Sequence, residues 1–429
     1  MKNKWNVLIF PGGTENGLEI YLSLKNCKEI DLYSASSNIE NQAFYVFDNN
    51  NIVRDVREKG WVDELNEIIN EKKIDIIFPS NAFVIDSLNK EKDKILCEIL
   101  IPSNNVLHIT RSKINTINLL DGVIPTPKIY KDPEKITDFP IFIKPDKGYG
   151  SQGATKIKHH LELNNFDLDL FIMQEYLPGK EYTIDCFSDS DGNLLFSSGR
   201  ERSRIRMGTS MHAEKIPDNL DQQFKEYAIK ILKEIKIVNA WFFQLKEDSS
   251  NNLKLLEIDV RISGTMCYNR SRGINFPLLS LYQHYNLPIS ILVNSSQLKL
   301  DRCLKNRYIF DYNYDKVYVD LDDTIIIKKK INLEMIFFLY QCVNKRIRII
   351  LLTKNLSNDI SSYLSKYRIK EVFDEIIVLD ENDKKSFYIE SNKAIFIDDS
   401  FSQRIEVSKK CKIPTFDCSM IESLIDERI

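Results

Sequence analysis

The residues with the clearest chemical potential lie in the segment VYVDLDDTIII, which runs from Val317 to Ile327. An apolar run stops at Asp320, and Asp322 and Thr324 follow it at intervals of two residues. Burying a carboxylate without a partner costs several kcal/mol, so these acids must lie at the solvent-facing tip of a strand. They could remain in water there, as in any acidic loop, or they could hold a cation.

Later apolar runs of the same region also end on polar residues. IRIILLTKN ends a run on Thr353, VLDENDKKSFYI carries Lys384 and Lys385, and KAIFIDDS ends a run on Asp398 and Asp399. The carboxyl ends of parallel strands meet at one edge of an open α/β sheet, where these folds place their sites. We therefore expect these side chains to converge on the first acidic segment.

A second group with chemical potential begins at IFIKPDKGYGSQG, where Lys144 ends an apolar strand before a glycine-rich loop. Glycines let a backbone approach a phosphate closely, and a lysine brings a positive charge to its oxygens. The loop is therefore a candidate nucleotide contact through Gly148, Gly150, Ser151 and Gly153.

The segment MQEYLPGKEYTID follows about thirty residues later. A strand that ends in Gln174, Glu175 and Tyr176 can turn its backbone NH and C=O groups toward a flat heterocycle. Glu181 follows at a distance where a ribose hydroxyl would need an acceptor. These four residues are further candidates for binding a nucleotide.

Oxygen ligands suited to a divalent cation follow in WFFQLKED and LKLLEIDVRISG. Gln244 lies on one strand, and Glu257 and Asp259 lie two apart on the next, which places them on one face. Mg²⁺ favours such oxygen ligands together with water and phosphates. Arg261, two residues further on, could neutralise a γ-phosphate. An exposed face of alternating charge is the competing explanation for any single pair.

Alternating arginines lie between these segments, in SSGRERSRIRMGTSMHAEK. The spacing of Arg200, Arg202, Arg204 and Arg206 predicts that they share one face of a strand. Arginine forks suit a carboxylate or phosphate substrate, although a solvated face explains the pattern equally well. We select Arg202 and Arg206 as candidate substrate contacts.

Three regions must position these residues. Apolar runs alternate with helical segments over residues 1–105, which predicts a parallel, Rossmann-like sheet wrapped by helices. Residues 106–310 predict antiparallel strands joined by turns such as DSDGN. Residues 311–429 return to the βα alternation. The expected fold class is therefore α/β combined with α+β, in three domains.

Length and composition restrict the functional classes. The 429 residues carry a net charge of -3, which gives no basic excess for nucleic acid as a partner. No apolar run approaches the roughly 18 residues of a membrane span, and no signal peptide is evident. The eight cysteines contain no CxxC pair and predict reduced thiols. We expect a cytoplasmic protein with small-molecule partners, and the sequence leaves its oligomeric state open, including a homo-oligomer.

Residues 106–297 resemble an ATP-grasp domain of the type found in carbamoyl phosphate synthetase and other carboxylate-amine ligases. The resemblance rests on TRSKINTINLL with Lys113, IKPDKGYGSQG, MQEYLPGKEYT and LEIDVRISG. Residues 1–105 resemble the domain that usually precedes it. The family most often has E-I-N-P-R where this chain has Asp259 and Val260, a departure that concerns the substrate more than the metal.

The resemblance implies ATP as a substrate and Mg²⁺, or Mn²⁺, as cofactor. It implies that Lys113 and Lys144 contact the phosphates, that Glu175 and its neighbours frame the adenine, and that Glu181 holds the ribose. It assigns the metal ions to Gln244, Glu257 and Asp259. Such enzymes phosphorylate a carboxylate and let an amine displace the phosphate.

Residues 311–429 resemble the haloacid dehalogenase (HAD) superfamily of phosphohydrolases, whose first motif is DxDxT after an apolar strand. The resemblance implies that Asp320 is the nucleophile and Asp322 the general acid and base. Thr353 and one lysine, Lys385 rather than Lys384, would hold the phosphoryl oxygens. The candidate Mg²⁺ ligands are Asp320, Asp322, Asp398 and Asp399. Only about thirty residues separate successive motifs, which leaves no room for a large cap domain.

The sequence thus predicts a bifunctional enzyme, an ATP-grasp ligase joined to a HAD-type phosphatase that acts on a phosphorylated small molecule. One alternative is an ATP-grasp kinase that releases a phosphorylated product without any amine. The other is a nucleotide sensor in which one domain is inactive. The acid, the amine and the phosphorylated substrate are not defined by the sequence.

Overall fold

The structure is a computed structural model that describes residues 4–37, 40–148, 153–206, 208–294, 298–354, 359–390 and 392–428. The chain divides into two compact units, Met1–Leu304 and Lys305–Ile429, and each is described by itself. The first unit spans the region predicted as the first domain and all but the last six residues of the predicted second domain, 106–310. The predicted domain boundaries stay predictions. Strands and helices are numbered in chain order.

The first unit begins with a five-stranded parallel sheet in the order β3-β2-β1-β4-β5, within the described residues. Its strands are β1 Trp5–Phe10, β2 Ile30–Ser36, β3 Asn50–Ile52, β4 Ile76–Pro79 and β5 Glu98–Ile99, and its helices are α1 Glu15–Leu24, α2 Trp61–Lys72 and α3 Ala82–Glu91. Alternate residues of β1 enter two different cores, with Val7 and Ile9 in one and Leu8 and Phe10 in the other. A strand that is buried on both faces is apolar throughout, which explains the continuous run in the sequence.

A four-stranded antiparallel sheet follows the helices α4 Asn104–Thr110 and α5 Lys113–Leu120. Its order is β6-β9-β7-β8, and its strands are β6 Ile129–Tyr130, β7 Ile141–Pro145, β8 Thr155–Ile157 and β9 Phe171–Glu175. Ile141, Ile143 and Met173 pack in a small core of its own. Lys144 and Gln174 lie on the same face of the paired strands β7 and β9, with Lys144 opposite Ile172 and Gln174 opposite Phe142.

A second antiparallel sheet of four described strands is central to the unit, in the order β11-β10-β15-β16. Its strands are β10 Glu181–Ser188, β11 Leu194–Glu201, β15 Asn239–Glu247 and β16 Leu253–Asp259. Tyr182, Ile184, Trp241 and Phe243 point from one face into a core that also contains helix residues. Because side chains alternate between the faces of a strand, the intervening residues face the other way.

Short elements complete the first unit. Two small antiparallel pairs join β12 to β13 and β14 to the distant β17, and the described part of the unit has three further helices. These elements are β12 Ile205–Arg206, β13 Thr209–Ser210, β14 His212–Glu214, β17 Lys299–Asp301, α6 Asp218–Glu234, α7 Cys267–Arg270 and α8 Phe276–His284. Phe224, Ala228 and Ile231 of α6 pack in the core beneath the central sheet.

The second unit is built on a parallel sheet of five described strands in the order β22-β21-β18-β23-β24. Its elements are β18 Lys316–Val319, β19 Ile326–Ile327, β20 Lys330–Ile331, β21 Arg348–Thr353, β22 Glu375–Val378, β23 Ala394–Ile397, β24 Thr415–Phe416, α9 Leu333–Asn344, α10 Ile360–Lys366 and α11 Phe401–Cys411. The acidic segment that begins at Val317 contributes the central strand β18, in which Val317, Tyr318 and Val319 are almost fully buried. The paired strands β19 and β20 follow it directly.

The antiparallel sheets expected in the middle of the chain are present, within a mixed α/β fold. The structure also places parallel sheets at both ends of the described chain. None of the helices within the described ranges is both long and apolar enough to cross a membrane.

Candidate functional site

A cavity of about 380 Å³ lies in the first unit, between the polar face of the central sheet and loops from the rest of the unit. Ten of the candidate residues selected from the sequence line it, six of them on strands or helices and four in the loops between these elements. These residues are Lys113, Lys144, Gly148, Gln174, Tyr176, Glu181, Arg202, Gln244, Glu257 and Arg261. The predicted nucleotide and metal groups are thus brought to one place.

The floor of the cavity is a row of four polar side chains that crosses the whole central sheet. Thr183 is paired with Arg200 on one side and with Gln244 on the other, and Gln244 is paired with Glu257. All four residues line the cavity. The row places a guanidinium, a hydroxyl, an amide and a carboxylate side by side, one from each strand.

An irregularity in β16 decides which way Glu257 points. Leu253 and Leu255 belong to the core, so strict alternation would send Glu257 into the core as well. The register with β15 shifts between Gln244 and Leu245, which leaves Leu256 as an extra residue opposite no partner. A bulge of this kind resets the alternation, and Glu257 therefore faces the cavity.

The same bulge holds Lys144. Its Nζ donates a hydrogen bond to the carbonyl oxygen of Leu256, at 3.1 Å. The side chain is 7% exposed. Burial lowers the pKa of Lys144 to about 8, against the opposing attraction of Glu257. This ammonium can therefore change charge near neutral pH, whereas an exposed lysine would not.

Lys113 is the second cation at this end of the cavity. Its Nζ donates to the carbonyl oxygens of Asp146 at 3.1 Å and Gly148 at 3.3 Å, so it fixes the start of the glycine loop. The Asp146 carboxylate in turn accepts from the backbone NH of Ile114, at 2.9 Å. Burial lowers the pKa of Lys113 as well.

The glycine loop is described only in part. Gly148 lines the cavity, whereas Gly150 and Ser151 lie outside the described residues. Gly153 has a φ of +73°, which is a conformation that side chains disfavour, and it does not line the cavity. The contacts predicted for this loop therefore stay a prediction.

The predicted heterocycle contacts divide between two sides of β9. Gln174 is 1% exposed and lines the cavity, and its Oε1 accepts no hydrogen bond from any described residue. Tyr176 lines the cavity too, with Lys156 Nζ 3.9 Å from its ring centroid. Glu175 lies elsewhere, because its carboxylate accepts from the backbone NH of Lys128 at 2.9 Å.

Glu181 lies between two cations on the cavity wall. Its carboxylate is 2.7 Å from Arg202 Nε and 3.3 Å from Lys246 Nζ. Sequence reasoning did not identify Lys246, although it lies two residues from Gln244 and thus on the same face of β15. A hydroxyl that approached Glu181 would meet a carboxylate already held in place.

Of the three predicted metal ligands in the first unit, two face the cavity and one does not. Gln244 and Glu257 are cross-strand neighbours that both face the cavity. Asp259 is 2.7 Å from Arg261 Nε and does not line the cavity. Two oxygen-bearing side chains plus phosphates and water suit Mg²⁺, so Gln244 and Glu257 fit the predicted cation. Asp259 positions Arg261, whose guanidinium also lies 5.2 Å from the ring of Phe242.

The four alternating arginines do not share one strand face, because β11 ends at Glu201. Arg202 lines the cavity, but Arg206 is exposed on the separate strand β12, and Arg204 pairs with Asp301 at 2.7 Å. Arg200 is the arginine that sequence reasoning missed. It is buried near the end of β11 and lines the cavity, and the available signal was its place as the first of the four alternating arginines.

A separate group of acids lies in the second unit, at the carboxyl edge of its parallel sheet. Oxygen atoms of Asp320, Asp398 and Asp399 all lie within 4.8 Å of one another. Lys385 Nζ is 2.6 Å from Asp320 Oδ1 and 2.6 Å from Asp398 Oδ2. Lys384 is exposed, so the structure places Lys385 in the group. Three converging carboxylates fit a hard divalent cation.

Burial dominates the electrostatics of this group. It raises the pKa of Asp320 to about 7 and raises the pKa of Asp398, although Lys385 opposes both changes. Thr324 Oγ1 accepts a hydrogen bond from the backbone NH of Asp399, at 3.0 Å, which fixes the exposed acid. A cation that neutralised the two buried acids would relieve the cost of their charge.

Two further residues of the second unit, Thr353 and Asp322, were predicted to take part in its chemistry. Thr353 is buried at the end of β21, next to the central strand. Asp322 is half-buried, forms an isolated bridge with Ile326, and lies outside the carboxylate group. Asp322 is therefore not one of the three acids whose oxygens lie close enough together to share a cation. Its predicted metal and catalytic roles stay predictions.

One region of the chain matches a known family. The family described as "ATP-grasp in the biosynthetic pathway with Ter operon" matches residues 167–298. This segment contains the central sheet and its polar row. A search of curated proteins finds no match.

Solved structures resemble the chain at low sequence identity. The biotin carboxylase domain of Hydrogenobacter thermophilus 2-oxoglutarate carboxylase, a dimer in complex with MgADP, ADP and bicarbonate, has a TM-score of 0.57 at 16% identity and covers 66% of this chain and 71% of its own. Biotin carboxylase from Campylobacter jejuni has a TM-score of 0.56 at 16% sequence identity. The match covers 69% of this chain and 73% of that protein. N5-carboxyaminoimidazole ribonucleotide synthetase from Thermotoga maritima has a TM-score of 0.53 at 18% sequence identity. The match covers 68% of this chain and 78% of that protein. These likenesses show that the chain contains an ATP-grasp fold.

The raised pKa of Asp320 predicts how stability depends on pH. The folded state holds this proton up to about pH 7, whereas an unfolded aspartate releases it near 3.8. The resulting stabilisation is complete below about pH 4 and is lost as the pH rises through 7. Asp320→Asn removes this part of the slope. Urea titrations in EDTA between about pH 4 and 8, read by far-ultraviolet circular dichroism, measure it. Equal slopes for both proteins would contradict the raised pKa of Asp320.

Proposed function

We propose that the first unit is an ATP- and Mg²⁺-dependent ligase that joins a carboxylate to an amine through an acyl phosphate. The observation that carries the proposal is one cavity, in an ATP-grasp fold, that contains the buried Lys144, the half-buried Lys113 and the paired oxygen ligands Gln244 and Glu257. The solved relatives named above include proteins described in complex with MgADP or an ATP analogue, which supports the choice of nucleotide.

The nucleotide would lie along the sheet that contains β7 and β9. Lys113 and Lys144 would contact its phosphates. The Lys113 ammonium lies at the start of the glycine loop, and the Lys144 ammonium lies at the bulge next to Glu257. Gln174, with an unpaired amide oxygen among the described residues, could accept a hydrogen bond from the exocyclic amine of the base. Tyr176 would lie beside the base and Glu181 beside the sugar.

The reaction then requires positioning and charge neutralisation more than covalent chemistry. Gln244 and Glu257 would hold Mg²⁺, which neutralises the charge of the transferred phosphoryl group when bound. Arg261, held by Asp259, would neutralise charge on the γ-phosphate as the carboxylate oxygen attacks it. The amine then attacks the acyl carbon, and the carbon-nitrogen bond forms as phosphate leaves.

We propose that the second unit is a Mg²⁺-dependent phosphohydrolase of the HAD type. Asp320 would attack the phosphorus and form an aspartyl phosphate, and Asp322 would protonate the leaving oxygen and then activate water. Lys385, 2.6 Å from Asp320, would neutralise charge on the phosphoryl oxygens, and Thr353 would hold one of them. The cluster of Asp320, Asp398 and Asp399 at the sheet edge supports this proposal.

The ligase proposal predicts ADP and phosphate release that depends on an acid and an amine together. The full chain with ATP and Mg²⁺ is assayed against a panel of carboxylic acids and amines, with Glu257→Gln as the inactive comparison. We expect Glu257→Gln to lose at least about 100-fold in turnover, because a metal ligand loses its charge. Release of ADP with an acid alone and a stable phosphorylated product would favour a kinase instead. Absence of ADP with every pair would contradict both.

The lowered pKa of Lys144 predicts a pH limit on nucleotide affinity. As the pH rises above about 8, the free protein loses this positive charge, so the Kd for ATP should rise. Lys144→Arg keeps its charge at every pH tested and should show a flat profile. Titration with ATP in the presence of Mg²⁺, between pH 7 and 9.5, measures the Kd of the wild-type protein and of Lys144→Arg. A parallel decline in the two proteins would show that another group limits binding.

The phosphohydrolase proposal predicts that Asp320→Asn abolishes hydrolysis of 4-nitrophenyl phosphate by the full chain. Asp323→Asn is the matched control, because Asp323 is exposed and has a φ of +55°, a conformation that asparagine tolerates well. The control should keep its activity within about twofold, as expected for an exposed substitution. Undiminished hydrolysis by Asp320→Asn would remove the nucleophile assignment.

A further inference from the structure

We propose that the cavity of the first unit has a second subsite, centred on Arg200, that binds an acid group on the amine substrate. The substrate class is then an amino acid or an aminoalkyl phosphate and not a simple amine. This inference rests on the proposed ligase function and specifies its acceptor.

Arg200 is a buried guanidinium with one arm left free. Its Nε and Nη2 donate to the two oxygens of Asp185 at 3.1 and 3.0 Å, and Nη2 also donates to Ser263 Oγ at 3.2 Å. Its Nη1 has no partner among the described residues, although Arg200 is 1% exposed and lines the cavity. A buried donor without an acceptor is costly, so an anionic group in the cavity would complete it.

Thr183 provides a second unpaired group next to Arg200. The two residues are paired across β10 and β11, and both line the cavity. Thr183 is 1% exposed, and its Oγ1 has no partner within the described part of the chain. A hydroxyl and a guanidinium side by side can hold two oxygens of one carboxylate or phosphate.

The parallel sheet adds two helix N-termini to this cavity. Thr14 caps α1, Asn81 caps α3, and both caps line the cavity. Each helix has ten residues, and helix N-termini favour anions. Glu15 in the first turn of α1 opposes this preference, but it pairs with Arg302 at 2.6 Å. α3 has no acid in its first turn.

Position within the sheet separates this subsite from the phosphate-binding end. Arg200 lies on β11 and Glu257 on β16, at opposite edges of the four strands. Three strand spacings of about 4.8 Å put the two backbones roughly 14 Å apart. The carboxylate that is phosphorylated must lie near the metal ligands, so an acid group at Arg200 is a different one. We assign it to the amine, which adds to the face of the acyl carbonyl before phosphate leaves and can therefore carry its own acid group away from the metal ligands.

The test uses the full chain with Mg²⁺ and a non-hydrolysable ATP analogue, and measures binding of matched probes by thermal shift and titration. Each probe that carries an acid group is compared with its neutral form. The pairs are the common L-amino acids with their amides, and 2-aminoethyl phosphate with ethanolamine. The two kinds of acid distinguish a carboxylate subsite from a phosphate subsite.

Two variants and one control make the test specific. Arg200→Lys keeps a cation for Asp185 but removes the fork, and Thr183→Val removes a hydroxyl that bonds no described residue. Each should weaken binding of the acid-bearing probe at least about tenfold, as for a lost hydrogen bond to a charged group. Affinity for the nucleotide should change less than twofold. Arg204→Lys, outside the cavity, should change neither.

The subsite is overturned if amides bind as well as acids, if no acid-bearing probe binds, or if Arg200→Lys weakens the nucleotide instead. Thr183→Val keeps the test valid should Arg200→Lys fail to fold, because it removes no hydrogen bond between described residues. Failure of the wild-type chain to bind the nucleotide would be a different result. It would contradict the proposed ligase function itself.

Discussion

One extra residue in one strand decides the chemistry of the first unit. Without the bulge at Leu256, Glu257 would follow Leu253 and Leu255 into the core, where an unpaired carboxylate would cost several kcal/mol. With it, Glu257 joins Gln244 on the cavity side, and the displaced carbonyl of Leu256 holds Lys144. The anion and the cation of the site thus depend on the same local break in the sheet.

The two units solve the problem of buried charge in different ways. In the first, the polar row stands on a face that is open to a cavity, so Glu257 stays half-buried and its charge faces solvent or a ligand. In the second, Asp320 and Asp398 are buried and are neutralised by Lys385 alone within the described chain. Desolvation outweighs this single cation, which is why both carboxyl groups have raised pKa values. A divalent cation is the natural complement of that imbalance.

Sequence reasoning reached the sheets and most of the cavity, because period-two alternation and strand-end polarity are local properties of the chain. Lys144, Gln244 and Glu257 were found in this way. The bulge was not, since alternation by itself puts Glu257 and the two leucines on one face. Nor was the burial of Arg200, since its partner Asp185 lies on a neighbouring strand that only the folded chain brings close. The pairing of Asp259 with Arg261 was missed as well, although the two residues are only two positions apart. Long-range pairing is what a single sequence does not encode visibly.

The two proposed functions together require two separate carboxylate sites for divalent cations, one that needs nucleotide and one that does not. Electron paramagnetic resonance of bound Mn²⁺, with and without a non-hydrolysable ATP analogue, counts both. We predict a nucleotide-independent ion that Asp398→Asn removes and a nucleotide-dependent ion that Glu257→Gln removes, each variant leaving the other ion in place. Loss of both ions in either variant, or a nucleotide-dependent ion that survives in Glu257→Gln, would contradict the account.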